Sequence, residues 1–442
     1  MEPYLLTATE CLEKFKDGSL TVEAYARSLL ARIDQRDSAV KAWAHLDPEY
    51  VIEQARALDR IPPEKRGPFH GVSVAVKDIM HTKRMPTQHN SPIYQGDAPE
   101  VDAGSVTILK RAGALLIGKS TTTQFASPKD GPPTCNPNDL SRTPGGSSSG
   151  SAAAVADFQV AIGLGTQTGG STIRPGSFNG IYAMKPTWNA ITQQGHKTYS
   201  LTLDTIGFFA RSVDDLGLLA KIFALEDDAP REAETAVAIQ GAKFAFVRTV
   251  VWPEAGPGTL AAMDTAERLL REHGAEVEVV DLPPEFDEMP RWHRIIMDTE
   301  ARSAFLPEYR ISKEQLQPFI TDHVENSTKV SREEQLEAFD GVAALRPKFD
   351  KIASKYATII TPSAIDEAPL GQKFTGSAAF NVIWTALHTP VVNVPGFKGE
   401  NGMPVGLSLV AGRYHDRHLL TVAKEVGKVF ESQGGWKRHC HA

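Results

Sequence analysis

The 442-residue sequence has little cysteine. Cys11, Cys135 and Cys440 are an odd number at wide spacing, which excludes a disulfide framework and a CxxC metal site. Long apolar runs are also missing. No stretch approaches the length of a membrane span, and the N-terminus "MEPYLLTATECLEKFKDG" has no basic segment followed by an apolar core. The expectation is a cytoplasmic protein with no membrane partner. There is no Lys/Arg block, and the net charge of −7 argues against a polyanion, so no nucleic-acid partner is expected. Internal repeats and polar linkers are absent too, which predicts one domain over residues 1–442.

What is present suits a chain able to bury a large core around a cleft, with 41% hydrophobic and 23% charged residues. Residues 7–34 place apolar positions at helical spacing around an Asp17-Gly18 break, predicting two amphipathic helices. The β-branched run "HGVSVAVKDI" (70–79) predicts a buried strand, and "SVTILKRAGALLIGKS" (105–120) a helix that passes through Gly113 into a strand. Farther on, "KFAFVRTV" (243–250), "GTLAAMDTAERLLREHGA" (258–275) and "EVEVVDLP" (276–283) give strand, helix and strand. A mostly polar helical excursion over about 286–350 is expected to cover the substrate pocket, and "YATIITPSA" and "TPVVNVPGF" return to strands. Alternating helices and strands predict an α/β sheet with helices on both faces.

Two glycine-serine clusters stand in one short stretch, "RTPGGSSSGSAAAVADFQVAIGLGTQTGGSTIRP" (142–175). A phosphate loop fails here, because Gly150 is followed by Ser151-Ala152 instead of Lys and Ser or Thr. A nucleophile elbow centred on Ser148 matches G-x-S-x-G, but the preceding residues read as loop, and no acid and histidine follow at a clear spacing. The third reading joins both clusters with Lys77 at the end of "VSVAVK". A serine needs a base to take its proton, and no histidine lies near either cluster. A lysine buried at a strand end is kept neutral by the cost of its charge and can serve, with a second serine carrying the proton. Gly169 and Gly170 allow a tight turn whose N–H groups point at one oxyanion. Taken singly, Ser147 and Ser148 would be helix N-caps, Lys77 a surface charge, and Gly169-Gly170 an ordinary turn.

At these residues the sequence resembles the amidase signature family. Lys77 in "VAVKDI", the blocks at 142–156 and 165–187, and "MPVGLSLVAGR" (403–413) occur in the family's order, with Ser147 and Ser171 24 positions apart. The resemblance runs from about residue 7 to 430 and implies one α/β/α domain on a mixed sheet. It further implies Ser171 as acylated nucleophile, Lys77 as base, and Ser147 as bridging serine after a cis peptide bond at Gly146. Ser148 would support them, Thr168, Gly169, Gly170 and Ser171 would supply the oxyanion donors, and no metal or cofactor would be used. Gln167, where many members carry aspartate, and Arg174, three residues after Ser171, resemble the malonamidase branch, in which the arginine binds a substrate carboxylate. Arg174 otherwise pairs with a structural carboxylate. Phe380 and Trp384 are expected in the core, Cys135 as an ordinary thiol. The expected activity is hydrolysis of a small-molecule amide through an acyl-serine, with a homodimer as one assembly it allows. The alternative is the glutaminase subunit of a tRNA-dependent amidotransferase, which hands its ammonia to a partner.

Overall fold

The computed structural model describes residues 2–127, 130–227 and 237–437. Its elements are α1 (Ala8–Asp17), α2 (Val22–Val40), β1 (Trp43–Leu46), α3 (Pro48–Asp59), β2 (Ser73–Lys77), α4 (Gly104–Ala112), β3 (Leu115–Ser120), α5 (Ser149–Ala156) and β4 (Ile162–Gln167). Then come α6 (Ile173–Asn179), β5 (Tyr182–Lys185), β6 (Thr205–Ala210), α7 (Val213–Ile222), β7 (Lys243–Arg248), α8 (Pro257–Glu272) and β8 (Glu276–Asp281). The excursion follows as α9 (Met289–Ala304), α10 (Leu306–Ser312), α11 (Pro318–Glu325) and α12 (Arg332–Ala353). The chain closes with β9 (Thr358–Pro362), α13 (Ala379–Ala386), β10 (Val391–Lys398), β11 (Pro404–Val410) and α14 (Asp416–Gln433). The two N-terminal helices part at Gly18, whose φ of 77° caps α1 in the left-handed region.

Eleven strands form one sheet in the order β1-β3-β2-β4-β6-β5-β10-β11-β9-β7-β8. Parallel pairs (β2 with β3 and β4) and antiparallel pairs (β4 with β6, β10 with β11) make it mixed. Successive strand residues point to opposite faces, and the core divides accordingly. Val74, Val76, Ile162 and Leu164 join the cluster under α4, α7, α8 and α14. Ala75, Leu115 and Ile117 join the cluster under α2, α5, α12 and α13. By the same alternation Lys77 shares the Ala75 face, toward α5. Adjacent parallel strands β2 and β4 therefore end side by side, with Lys77 and Gln167 at their carboxyl ends, where α/β sheets form crevices.

Candidate active site

Lys77 is the last residue of β2 and is fully buried. Its Nζ lies 2.7 Å from Ser147 Oγ, 3.0 Å from Ser148 Oγ and 2.8 Å from Thr166 Oγ1. The partners are three hydroxyls, with no carboxylate among them. Burial pulls the ammonium down to about 7, with the charge of Asp204 acting in the opposite direction. Neutral amine is thus abundant near neutral pH.

Ser147 follows a cis peptide bond from Gly146. Ser148 occupies the N-cap position of α5 but makes no side-chain cap bond, which sets aside the capping reading of these serines. Its Oγ instead accepts from the Thr166 amide at 3.2 Å. The segment before it is loop, so the strand that an elbow requires is absent. Gly165 explains how α5 comes so close, because a Cβ there would stand 2.8 Å from Ser148 Oγ and 2.7 Å from Phe209.

The turn between β4 and α6 carries the second cluster. Gln167 closes it from inside: Oε1 accepts the Thr172 and Ile173 amides, each at 3.0 Å, and Nε2 donates to Thr385 Oγ1 at 3.1 Å. These bonds satisfy the first amides of α6, which its own backbone leaves unpaired. Thr168 is held twice, its hydroxyl donating to Asp204 at 2.5 Å and its carbonyl accepting from His293 Nε2 at 2.8 Å. The Gly169 carbonyl accepts from Thr385 Oγ1 at 2.8 Å. Among the described residues, the amides of Thr168, Gly169, Gly170 and Ser171 donate to no protein acceptor. Four consecutive free N–H groups on a pinned turn are what an oxyanion needs. The Ser171 hydroxyl, 7% exposed, likewise has no hydrogen bond among the described residues, to Ser147 or to any other group.

Arg174 ties the two clusters together. Its Nη2 donates to the Gly146 carbonyl at 2.6 Å and its Nε to the Thr375 carbonyl at 2.8 Å. Among the described residues no carboxylate pairs with it, unlike the structural alternative. Among the same residues Nη1, which is buried, has no hydrogen-bond partner, nor has Asn381 Oδ1, and both flank Gly170. Burial alone lowers the guanidinium to about 10.

Phe380 and Trp384 are buried on α13, with Trp384 against Phe349 in the core. The same helix supplies Asn381 and Thr385 to the site. Cys135 is half-buried with its Sγ near Gln372, Cys11 is buried, and Cys440 lies outside the described residues. Among the described residues no three His, Cys, Asp or Glu side chains gather as metal ligands would. Sequence reasoning missed Thr166, Asp204, His293, Asn381 and Thr385. Only Thr166 carried a signal, being the alternate small polar residue at the end of a buried strand.

Known proteins resemble this chain along its length. A family model described as Amidase matches residues 24–420. The A-type subunit of the glutamyl-tRNA(Gln) amidotransferase of Streptomyces avermitilis is 38% identical over 296 residues, which span 63% of this chain and 59% of that protein. The protein of the same name from Chloroflexus aggregans is 31% identical over 478 residues, 97% of each chain. A solved structure described as a vestigial protein complex that reveals the origins of an s-triazine catabolic enzyme superposes with a TM-score of 0.87 at 26% identity, covering 98% of this chain and 100% of that one. The relatives correct one expectation. Both carry the name of an amidotransferase that acts with a tRNA, so the net charge of −7 does not exclude nucleic acid. Net charge governs long-range, non-specific attraction, not what a specific surface or an assembled complex binds. No helix among the described residues is long and apolar enough to cross a membrane.

Proposed function

This chain belongs to the amidase signature family and is a hydrolase of amide C–N bonds, and from that premise we propose that Ser171 carries the acyl group, with Lys77 as base and Ser147 as proton relay. The observation that carries the proposal is the 2.7 Å bond from a fully buried lysine to Ser147. Neutral Lys77 takes the Ser147 proton as Ser147 takes that of Ser171, and Ser171 Oγ bonds to the substrate carbonyl carbon. The oxygen that becomes negative is received by the free amides of residues 168–171. Collapse breaks the C–N bond, and the proton on Lys77 returns through Ser147 to the departing nitrogen. Water then repeats the cycle on the ester and frees the carboxylate.

For the amide, the names of the curated relatives favour the glutaminase subunit of a tRNA-dependent amidotransferase. A free-standing hydrolase of small acidic amides is the second reading, favoured by the unpartnered Arg174 Nη1 three residues from Ser171. Ammonia release from glutamine and from a panel of amides with and without a carboxylate, by the chain alone and with any co-purifying protein, separates them. Glutamine turnover that rises with a second protein supports the first. Fast turnover of acidic amides by the chain alone supports the second. Turnover no greater than that of Ser171→Ala on every amide contradicts both.

A further inference from the structure

Asp204 is a buried carboxylate that the acyl-transfer steps do not use. It precedes β6, faces the turn after β4, and is 7% exposed. One carboxylate oxygen accepts the Thr168 hydroxyl at 2.5 Å, and the other accepts the amides of Tyr199 and Ser200 at 2.7 and 3.1 Å. Its own segment is tied down as well: Glu300 on α9 accepts the Ser200 hydroxyl and, at 3.0 Å, the Thr202 amide. Beside Asp204 lies a cavity of about 10 Å³, lined by Thr166, Thr168, Tyr199 and Asp204 among others. That is room for about one water with polar neighbours. Thr166 is also a direct partner of Lys77 Nζ at 2.8 Å.

Resting on the reading of Lys77 as base and Ser171 as nucleophile, we propose that Asp204 is a positioning residue for both halves of the site. Through the Thr168 hydroxyl it fixes the first residue of the oxyanion turn, and across the one-water cavity its charge acts on Lys77 beyond Thr166, whose hydroxyl is a direct partner of the amine.

The other ionisable groups facing this pair do not take over that role. His196 in the cavity wall and His293 on Thr168 are held neutral by burial, at about 3 and about 4. Lys197 is paired with Glu308 at 2.6 Å, and Lys119, beside β2, with Asp78 at 3.5 Å. Tyr199 is pushed well above its ordinary value by burial and stays protonated. Glu300 adds a like charge beyond Ser200, which together with burial lifts Asp204 to about 6. Asp204 is therefore the opposing charge that Lys77 meets above that pH.

The test is the rate of Ser171 labelling by a fluorophosphonate across pH 5–9, which needs no knowledge of the substrate. In Asp204→Asn the amide can keep the contacts with Thr168 and with the Tyr199 and Ser200 amides while losing the charge. Its rising limb is expected to move about one unit toward lower pH, because the neutral amine no longer competes with a favoured ammonium. Thr168→Val is expected to lower the plateau about tenfold with the limb unmoved, and Thr168→Ser to restore it. A folded Asp204→Asn with an unmoved limb overturns the inference alone. If that variant does not fold, a Thr168→Val that labels like wild type overturns it. Labelling that persists in Ser171→Ala overturns the acyl-enzyme reading, and this inference with it.

Discussion

At Lys77 three hydroxyl acceptors and complete burial meet in one side chain, and its protonation state sets what the site can do. Only the neutral amine accepts a proton. Because burial lowers its value from 10.5 to about 7, kcat/KM should rise with pH through about 7 and level above it. Lys77→Met should cost on the order of 10³-fold or more, and Ser147→Ala less, since water can stand in for a relay and not for a base. A pH profile and steady-state rates for the two variants check both statements. Arg174 divides its guanidinium between two backbone carbonyls and one free Nη1. Arg174→Lys should therefore raise KM for acidic amides about tenfold while neutral amides change little, because lysine cannot reproduce two planar contacts. An equal loss on both substrate classes would mark the residue as purely structural. Ser147 and Ser171 stood out in the sequence because they sit in compact glycine-serine motifs, and Lys77 because it closes a β-branched run. Asp204 and His293 did not. Each is a single polar residue in an ordinary stretch, and only tertiary folding brings it to Thr168.

The elements explain why the motifs are so rich in small residues. Helix α5 packs on the ends of β3 and β4 with no room to spare: a Cβ on Gly150 would stand 2.2 Å from the Ala42 carbonyl oxygen and 2.4 Å from the Thr121 amide. Both obstacles are backbone and cannot rotate away. Gly150→Ala should therefore cost on the order of 3 kcal/mol in chemical denaturation. Gly165→Ala meets the Phe209 ring and the Ser148 hydroxyl and should depress the rate as well as the stability, the rate through the Ser148 contact with Lys77. Helices α1, α2, α4 and α8, the helical excursion and strands β2, β3, β7, β8 and β9 could be read from periodicity and composition. Strands β5 ("YAMK") and β6 ("TIGFFA") could not, because they lie among the glycines and loops that follow the motifs. Their place beside β4 is decided by long-range pairing, which local pattern does not encode.

Across the molecule, one eleven-stranded sheet ends the parallel strands β2 and β4 side by side, with Lys77 closing the first and the turn that carries Ser171 leaving the second. The helical excursion reaches that turn, since α9 contributes His293 to the Thr168 carbonyl. We propose that the described chain folds as one domain, which predicts a single calorimetric transition with Ser171 labelling lost along it; two resolved transitions would speak against it. Class and layering followed from the alternation of helices and strands, and the mixed sheet from the family resemblance. The central claim is that one serine of this site, Ser171, is acylated, and intact mass followed by peptide mapping after fluorophosphonate treatment tests it most directly. The account predicts one probe mass per chain, carried by the peptide that contains Ser171 and absent in Ser171→Ala, whereas a label on Ser148, or one that survives that substitution, would contradict it.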